Sequence, residues 1–287
     1  MTRATNVKIK KKDTRSLLQR YAATPHIVWS VLFIIAPLIF VAYYAFTDSN
    51  GAFTFANVGN FFTPTYLKIF ARSLKLAFIA TAICLLIGYP IAYFISRCKP
   101  NTQRLLMLLL MLPMWMNFLI RTYAIMVLIQ DKGIINSFLG NFGISPIRML
   151  GTEGAVILGM VYDYLPYMIL PIYSVMAKLD YRLVEAAADL GCNGFGVLRK
   201  VIFPLSISGV ISGVTMVLVP SISTFYISQK LGDVDTLMIG DVIEQQYNAS
   251  NYNMTASLSL VLMLILLVGL AIVNRYSDND SEGGMLP

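Results

Sequence analysis

The sequence predicts an all-α, polytopic membrane protein with six transmembrane helices, and three observations carry that prediction. Hydrophobic residues make up 57% of the 287-residue chain and charged residues only 13%, about half the ~25% of an ordinary soluble domain. Six stretches are mostly apolar over about the 20 residues that a spanning helix needs. Lys and Arg gather in alternate connections between those stretches, the distribution that membrane topology imposes. The composition excludes disorder, which needs low hydrophobicity and high net charge, and argues against a soluble enzyme.

The first stretch, 27–46, contains Pro37. It is about twice as long as the apolar core of a signal peptide and has no clear small-residue cleavage site, so it reads as a retained span. The second, 76–96, carries Gly88 and Pro90. The third, 105–128, is interrupted by Pro113, Asn117 and Arg121. The fourth, 155–176, holds Asp163, Pro166 and Pro171, the fifth, 206–228, holds Pro220, and the sixth is 256–273. The domain plan is thus a basic tail over 1–26, a six-helix membrane domain over 27–273 and a short tail over 274–287.

With the N-terminus in the cytoplasm, inner segments hold most of the 22 Lys and Arg residues. The tail has Arg3, Lys8, Lys10, Lys11, Lys12, Arg15 and Arg20. The inner loops have Arg97, Lys99 and Arg104, then Lys178, Arg182, Arg199 and Lys200, and the C-terminal end has Arg275. Both termini are therefore expected in the cytoplasm. This bias accounts for the net charge of +7 without a nucleic-acid partner. The Lys8–Lys12 run reads as an anchor on anionic lipid. One histidine, His26, and three scattered cysteines without a C-x-x-C pair give no metal site and no disulfide framework. No cofactor is implied.

The inner loop 177–205 is amphipathic. Val184-Glu185-Ala186-Ala187-Ala188-Asp189-Leu190-Gly191 is a short run of good helix formers closed by glycine. A second helical stretch follows over 196–203, and Pro204 leads into the fifth span. Small alanines leave a surface that another protein can approach closely, and Glu185 offers one charge for a specific contact. The spacing of Glu185-Ala186-Ala187, Gly191, Val201, Phe203 and Pro204 resembles the EAA loop of the membrane subunits of bacterial type I ABC importers. The usual pattern has Ile and Leu where this chain has Val201 and Phe203. Further stretches, among them Leu119–Ala124, Gly159–Met168 and Met238-Ile239-Gly240 with Gln245-Gln246, are similar to the spermidine/putrescine branch of that family.

The resemblance implies the type I importer permease fold and a bacterial cytoplasmic-membrane location. It implies that Glu185, Ala186, Ala187, Gly191 and Pro204 couple the chain to an ATPase. It also implies the partners: two cytoplasmic ATPase subunits, a second related permease and an extracytoplasmic substrate-binding protein. The chain has no G-x-x-x-x-G-K-[ST] nucleotide loop, so ATP must be hydrolysed by another polypeptide, and no catalytic residue is assigned. The alternatives are another substrate within the family (sulfate, iron or an amino acid) and a self-sufficient channel or secondary carrier.

Polar groups at bilayer depth normally face protein or water. Counted along straight helices at 1.5 Å per residue, Asp163 sits ~12 Å below the outer surface and Arg121 ~6 Å below it, close enough for an Arg side chain to bridge. An Arg121–Asp163 pair between the third and fourth spans is expected. Asp163 reads either as a lock on Arg121 or as a carboxylate for a passing polyamine. Past Pro220, Ser223, Thr224 and Tyr226 interrupt an apolar helix and are candidates to line a path for a flexible cation. Gly209-x-x-x-Gly213 suits close helix packing. The last outer loop carries Asp233, Asp235, Asp241 and Glu244 against Lys230, which reads as solvated loop charge or as an acidic mouth.

Overall fold

The computed structural model describes residues 24–48 and 50–282. Most of the expected basic tail, residues 1–23, and residues 283–287 lie outside the described part. Among the described residues every regular element is helical, apart from one antiparallel bridge between Thr47 and Phe53. Five helices are long and apolar enough to cross a membrane, and a sixth crossing is supplied by a bent pair.

Helix α1 is Thr24–Ala45. A short α2, Ala56–Asn60, precedes α3, Pro64–Arg97. The third apolar stretch becomes α4, Pro100–Met111, a 3₁₀ turn over Leu112–Trp115, and α5, Phe118–Ile129, followed by α6, Ile134–Gly140. Then come α7, Glu153–Met176, α8, Tyr181–Asp189, and α9, Gly194–Ser223. The outer segment holds α10, Tyr226–Leu231, and α11, Ile239–Asn248, and the last helix, α12, is Tyr252–Glu282.

Helices α3, α7 and α9 form the packed centre, with Leu76, Cys84, Met160, Met168, Ile172 and Val217 buried between them. Specific contacts fix their directions. Lys75 Nζ lies 2.6 Å from Glu153 Oε2, Cys84 Sγ 3.8 Å from the Val161 carbonyl, and Gly88 faces Met168. Helices α3 and α7 are therefore parallel neighbours, and the intervening segment 100–152 must return across the bundle. That makes the bent pair a full crossing. Helix α9 runs antiparallel to α7. A Cβ added at Gly209 would stand 3.0 Å from the Pro171 carbonyl oxygen, and one at Gly213 the same distance from that of Met168. The two glycines thus let α9 approach the α7 backbone. Gly213→Val is expected to force these helices apart at a cost of about 1–3 kcal/mol, read as a lower melting temperature of the purified protein in mild detergent. An unchanged melting point would rule out this contact as a tight one.

Helix α1 packs through Ala45 against Ala256 and Leu260 of α12, while most of its large side chains, including Trp29, Phe33 and Phe40, are exposed. A helix apolar all round is at home in lipid or against another membrane subunit. In α1 the Ala36 N–H reaches back five residues to the Val31 carbonyl, and in α9 the Phe203 N–H does the same to Leu198. Both widened turns directly precede a proline, Pro37 and Pro204. A proline ring collides with the carbonyl four residues back, and a π turn moves that carbonyl aside.

Three expectations from the sequence are corrected. The third span is not straight: the segments Pro100–Trp115 and Phe118–Gly140 meet at 91°, so depths counted along one axis do not apply to Arg121. Asn117 sets the bend, because its side chain accepts the Leu119 N–H and starts a new helix. The fifth span does not run to Ser228. It stops at Ser223, with Thr224 extended, and a new helix starts at Tyr226. Finally, the helical stretch expected over 196–203 is no separate element, since α9 continues through Pro204 without a break.

Candidate coupling loop and intramembrane polar sites

The loop leaving α7 turns at Asp180, whose carboxylate caps α8 by accepting the Arg182 N–H. Helix α8 ends at Asp189 with Leu190 as its C-cap, and Gly191 takes φ +82°, a left-handed conformation that costs most L-residues about 1–2 kcal/mol. Asn193 then caps α9 through the Gly196 N–H. The five residues expected to couple occupy different settings. Glu185 and Ala186 are exposed on the outer face of α8, whereas Ala187 is buried against the body of the protein. Gly191 makes the turn and Pro204 lies within α9. Beside the turn, Leu190 is 86% and Phe195 71% exposed. The cluster joins an exposed acid, small alanines and two unshielded apolar side chains, on a helix tied directly to the fifth span.

In the membrane interior, Arg121 Nε stands 2.5 Å from Asp163 Oδ1, and both side chains are almost wholly buried. Thr122 Oγ1 donates to the other carboxylate oxygen at 3.3 Å. Arg121 Nη1 also donates to the Pro113 carbonyl at 3.2 Å. Arg121 therefore spans the bend in the third span and gives a second donor to the Pro113 carbonyl, which also accepts the Met116 N–H at 3.2 Å.

The remaining path candidates do not converge. Ser223 borders a cavity of about 660 Å³ between the end of α9, α11 and α12. Thr224 is buried. Tyr226 faces a separate pocket with Tyr123 and Ala124 of α5, where the Lys230 ammonium lies 5.6 Å from its ring centroid. Asp163 reaches neither cavity. Gly240 explains the join between α9 and α11: a Cβ there would lie 2.5 Å from the Thr224 carbonyl oxygen.

The acids of the outer segment also separate. Asp233 lies 3.5 Å from Arg148. Asp241 is fully buried, accepting from the Met238 N–H at 2.7 Å and from Ser228 at 2.9 Å. Burial pushes its carboxyl up to about 6, against the lowering pull of those two donors. Glu244 accepts from the Gln229 side-chain amide and lines the 660 Å³ cavity. Among the described residues no group of three potential metal ligands occurs.

A bundle of five long apolar helices and one bent pair, with an exposed helix–glycine–helix loop, is the architecture of a polytopic membrane subunit. The chain belongs to the family of binding-protein-dependent transport system inner membrane components, whose model matches residues 85–279. Among curated proteins it is 41% identical over 251 residues to the spermidine/putrescine transport system permease protein PotB of Haemophilus influenzae, covering 84% of this chain and 88% of that one. It is 36% identical over 258 residues to PotB of Escherichia coli K12, covering 87% and 94%. Among solved structures, a chain of a bacterial ABC transporter that imports the acidic polysaccharide alginate superposes with a TM-score of 0.78 at 14% identity, covering 91% of this chain and 97% of that one. A chain of the MetNI methionine ABC transporter superposes at 0.57 with 15% identity, covering 75% and 95%. The two structures share the fold. The expectation of an all-α ABC permease holds, and the family is one of transport components, multi-pass in the membrane.

Proposed function

We propose that this chain is one half of the pathway of an ATP-driven importer of spermidine and/or putrescine. The observation that carries the reading is the 36–41% identity to polyamine permeases across nearly the whole length. The complex contains two ATPase subunits, a second related permease and a substrate-binding protein on the outer side. Helix directions support a common face for the start of α1, the end of α12 and loop 177–205, because α3 and α7 run outward to inward and α1 and α9 run the other way. The excess of Lys and Arg makes that face cytoplasmic. Glu185 and Ala186 then meet the ATPase, Ala187 and Gly191 hold the shape of the loop, and α9 carries motion inward to outward over ~45 Å. Arg121 and Asp163 serve as a lock between helices, in keeping with their complete enclosure, and Ser223 lines the path.

The test is reconstitution of the full complex in liposomes, with uptake and ATP hydrolysis measured for spermidine, putrescine, sulfate, ferric iron and amino acids. ATP-dependent uptake confined to the two polyamines is expected. Uptake of another of these solutes instead, or polyamine uptake without any ATPase subunit, overturns the reading.

A further inference from the structure

We propose that the 660 Å³ cavity between α9, α11 and α12 is a binding station for a linear aliphatic polyammonium ion, anchored by Glu244. The inference rests on the polyamine reading above and adds to it a site and a discriminating residue.

The argument begins with charge. Within the bundle and its outer segment, Asp163 is paired with Arg121, Glu153 with Lys75 and Asp233 with Arg148, while Asp241 is enclosed by its own hydrogen bonds. Glu244 differs. Its carboxylate meets only the neutral Gln229 amide, and among the described residues no cation lies within ion-pair distance. It is also the acid that lines the cavity. A half-buried carboxylate beside a largely apolar wall can pair with a cation that enters the cavity.

Shape and lining narrow the class of cation. Gly240, Ile243, Glu244 and Tyr247 recur at i, i+3, i+4 and i+7 and so share one face of α11. Opposite them, α12 lines the space from Thr255 to Leu270, a run of ~22 Å along the axis. The site is thus elongated. Its leucine wall suits methylene segments, the rings of Tyr247 and Phe225 offer faces to ammonium groups, and the Ser223 and Ser259 hydroxyl oxygens can accept from a second ammonium. No Lys, Arg or His lines it. Sulfate would meet a carboxylate without a counter-cation, and a zwitterionic amino acid would leave its own carboxylate unpaired in an apolar space. A compact hydrated metal ion would gain nothing from the leucines.

The experiment uses the complete complex in liposomes with radiolabelled spermidine. Glu244→Gln is expected to raise the KM for uptake about tenfold or more, and Glu244→Asp to restore most of the affinity by keeping the charge. Ser259→Trp, which fills the cavity and leaves the Glu244–Gln229 contact alone, is expected to block uptake while both ATPase and partner permease still co-purify. A third readout does not need transport: labelling of Ser259→Cys by a water-soluble maleimide, above the background of the chain's own cysteines, is slowed by spermidine and not by a neutral diol of similar length. Wild-type KM in Glu244→Gln together with free passage in Ser259→Trp overturns the site and leaves the polyamine reading standing. A wild-type complex that takes up no polyamine fails at the earlier step. A cysteine at 259 that no reagent reaches in the assembled complex shows the cavity covered by another chain and also overturns the proposal.

Discussion

Glu185→Arg is expected to cut ATP-driven uptake by the complete transporter at least tenfold, equivalent to about 1.4 kcal/mol or more of coupling lost, with the ATPase subunits released or hydrolysing without transport. The reason lies in how α8 divides its faces. Ala187 is buried and holds the helix to the bundle, while Glu185 and Ala186 point outward. Leu190 and Phe195 protrude beside the Gly191 turn, so the proposed contact has an apolar centre flanked by two exposed acids, Glu185 and Asp189. Binding energy at interfaces concentrates in such few buried anchors, and a reversed charge beside them opposes docking twice, by losing an attraction and adding a repulsion. The substituted side chain is exposed, so the chain's own stability should move by no more than ~0.5 kcal/mol. Co-purification from mild detergent, the melting temperature and uptake are measured together. An assembled, fully transporting Glu185→Arg complex would remove this residue from the coupling contact.

The same helix shows why the loop was legible in the sequence. Alanine-rich helix formers, a terminal glycine and a following proline are local signals, and each acts on its own segment. Four spans were equally legible, because twenty apolar residues in a row have few alternatives in water or lipid. The bend at Asn117 was hidden: Pro113 and Asn117 are each tolerated in a straight span, and only the side-chain cap on Leu119 commits the chain to a new helix. The true length of α3 was hidden as well. Its first turns carry Lys68, Arg72 and Lys75, which a search for apolar stretches discards although nothing prevents a helix from continuing beyond the bilayer. In the sequence Glu244 is one of four outer-loop acids that read as solvated charge or as an acidic mouth. Its signal was present in the helical spacing of Gly240, Ile243, Glu244 and Tyr247, but a period of this kind says which residues share a face and not what that face meets. The outward placement of Tyr226 relative to Ser223 depended on the helix stopping at Ser223, a tertiary event set by the close approach of Gly240 to the Ser223 and Thr224 carbonyls.

Arg121→Met should destabilise the protein by about 3–5 kcal/mol, the usual cost of removing one partner of a buried ion pair. Asp163 would then be a fully enclosed carboxylate with Thr122 as its remaining donor, and the Pro113 carbonyl would keep only the Met116 N–H at the bend. Translocation scales give a similar ~2.5–3.5 kcal/mol for a charge at mid-membrane. Asp163→Asn should cost a comparable amount, since it leaves the guanidinium to the Pro113 carbonyl and the Phe118 ring, 6.0 Å away. The double variant Arg121→Met with Asp163→Leu separates the two roles open to Asp163. If the pair is a lock, removing both charges together avoids the orphaned one, and the double variant melts above either single variant and still transports. If Asp163 serves the passing cation, the double variant assembles but does not transport. The lock predicts the first result, because Asp163 has no accessible surface and reaches neither cavity, whereas a site for a moving ion must open to one of them. Single variants that melt at the wild-type temperature would mean that the contact across the bent span contributes nothing to holding it.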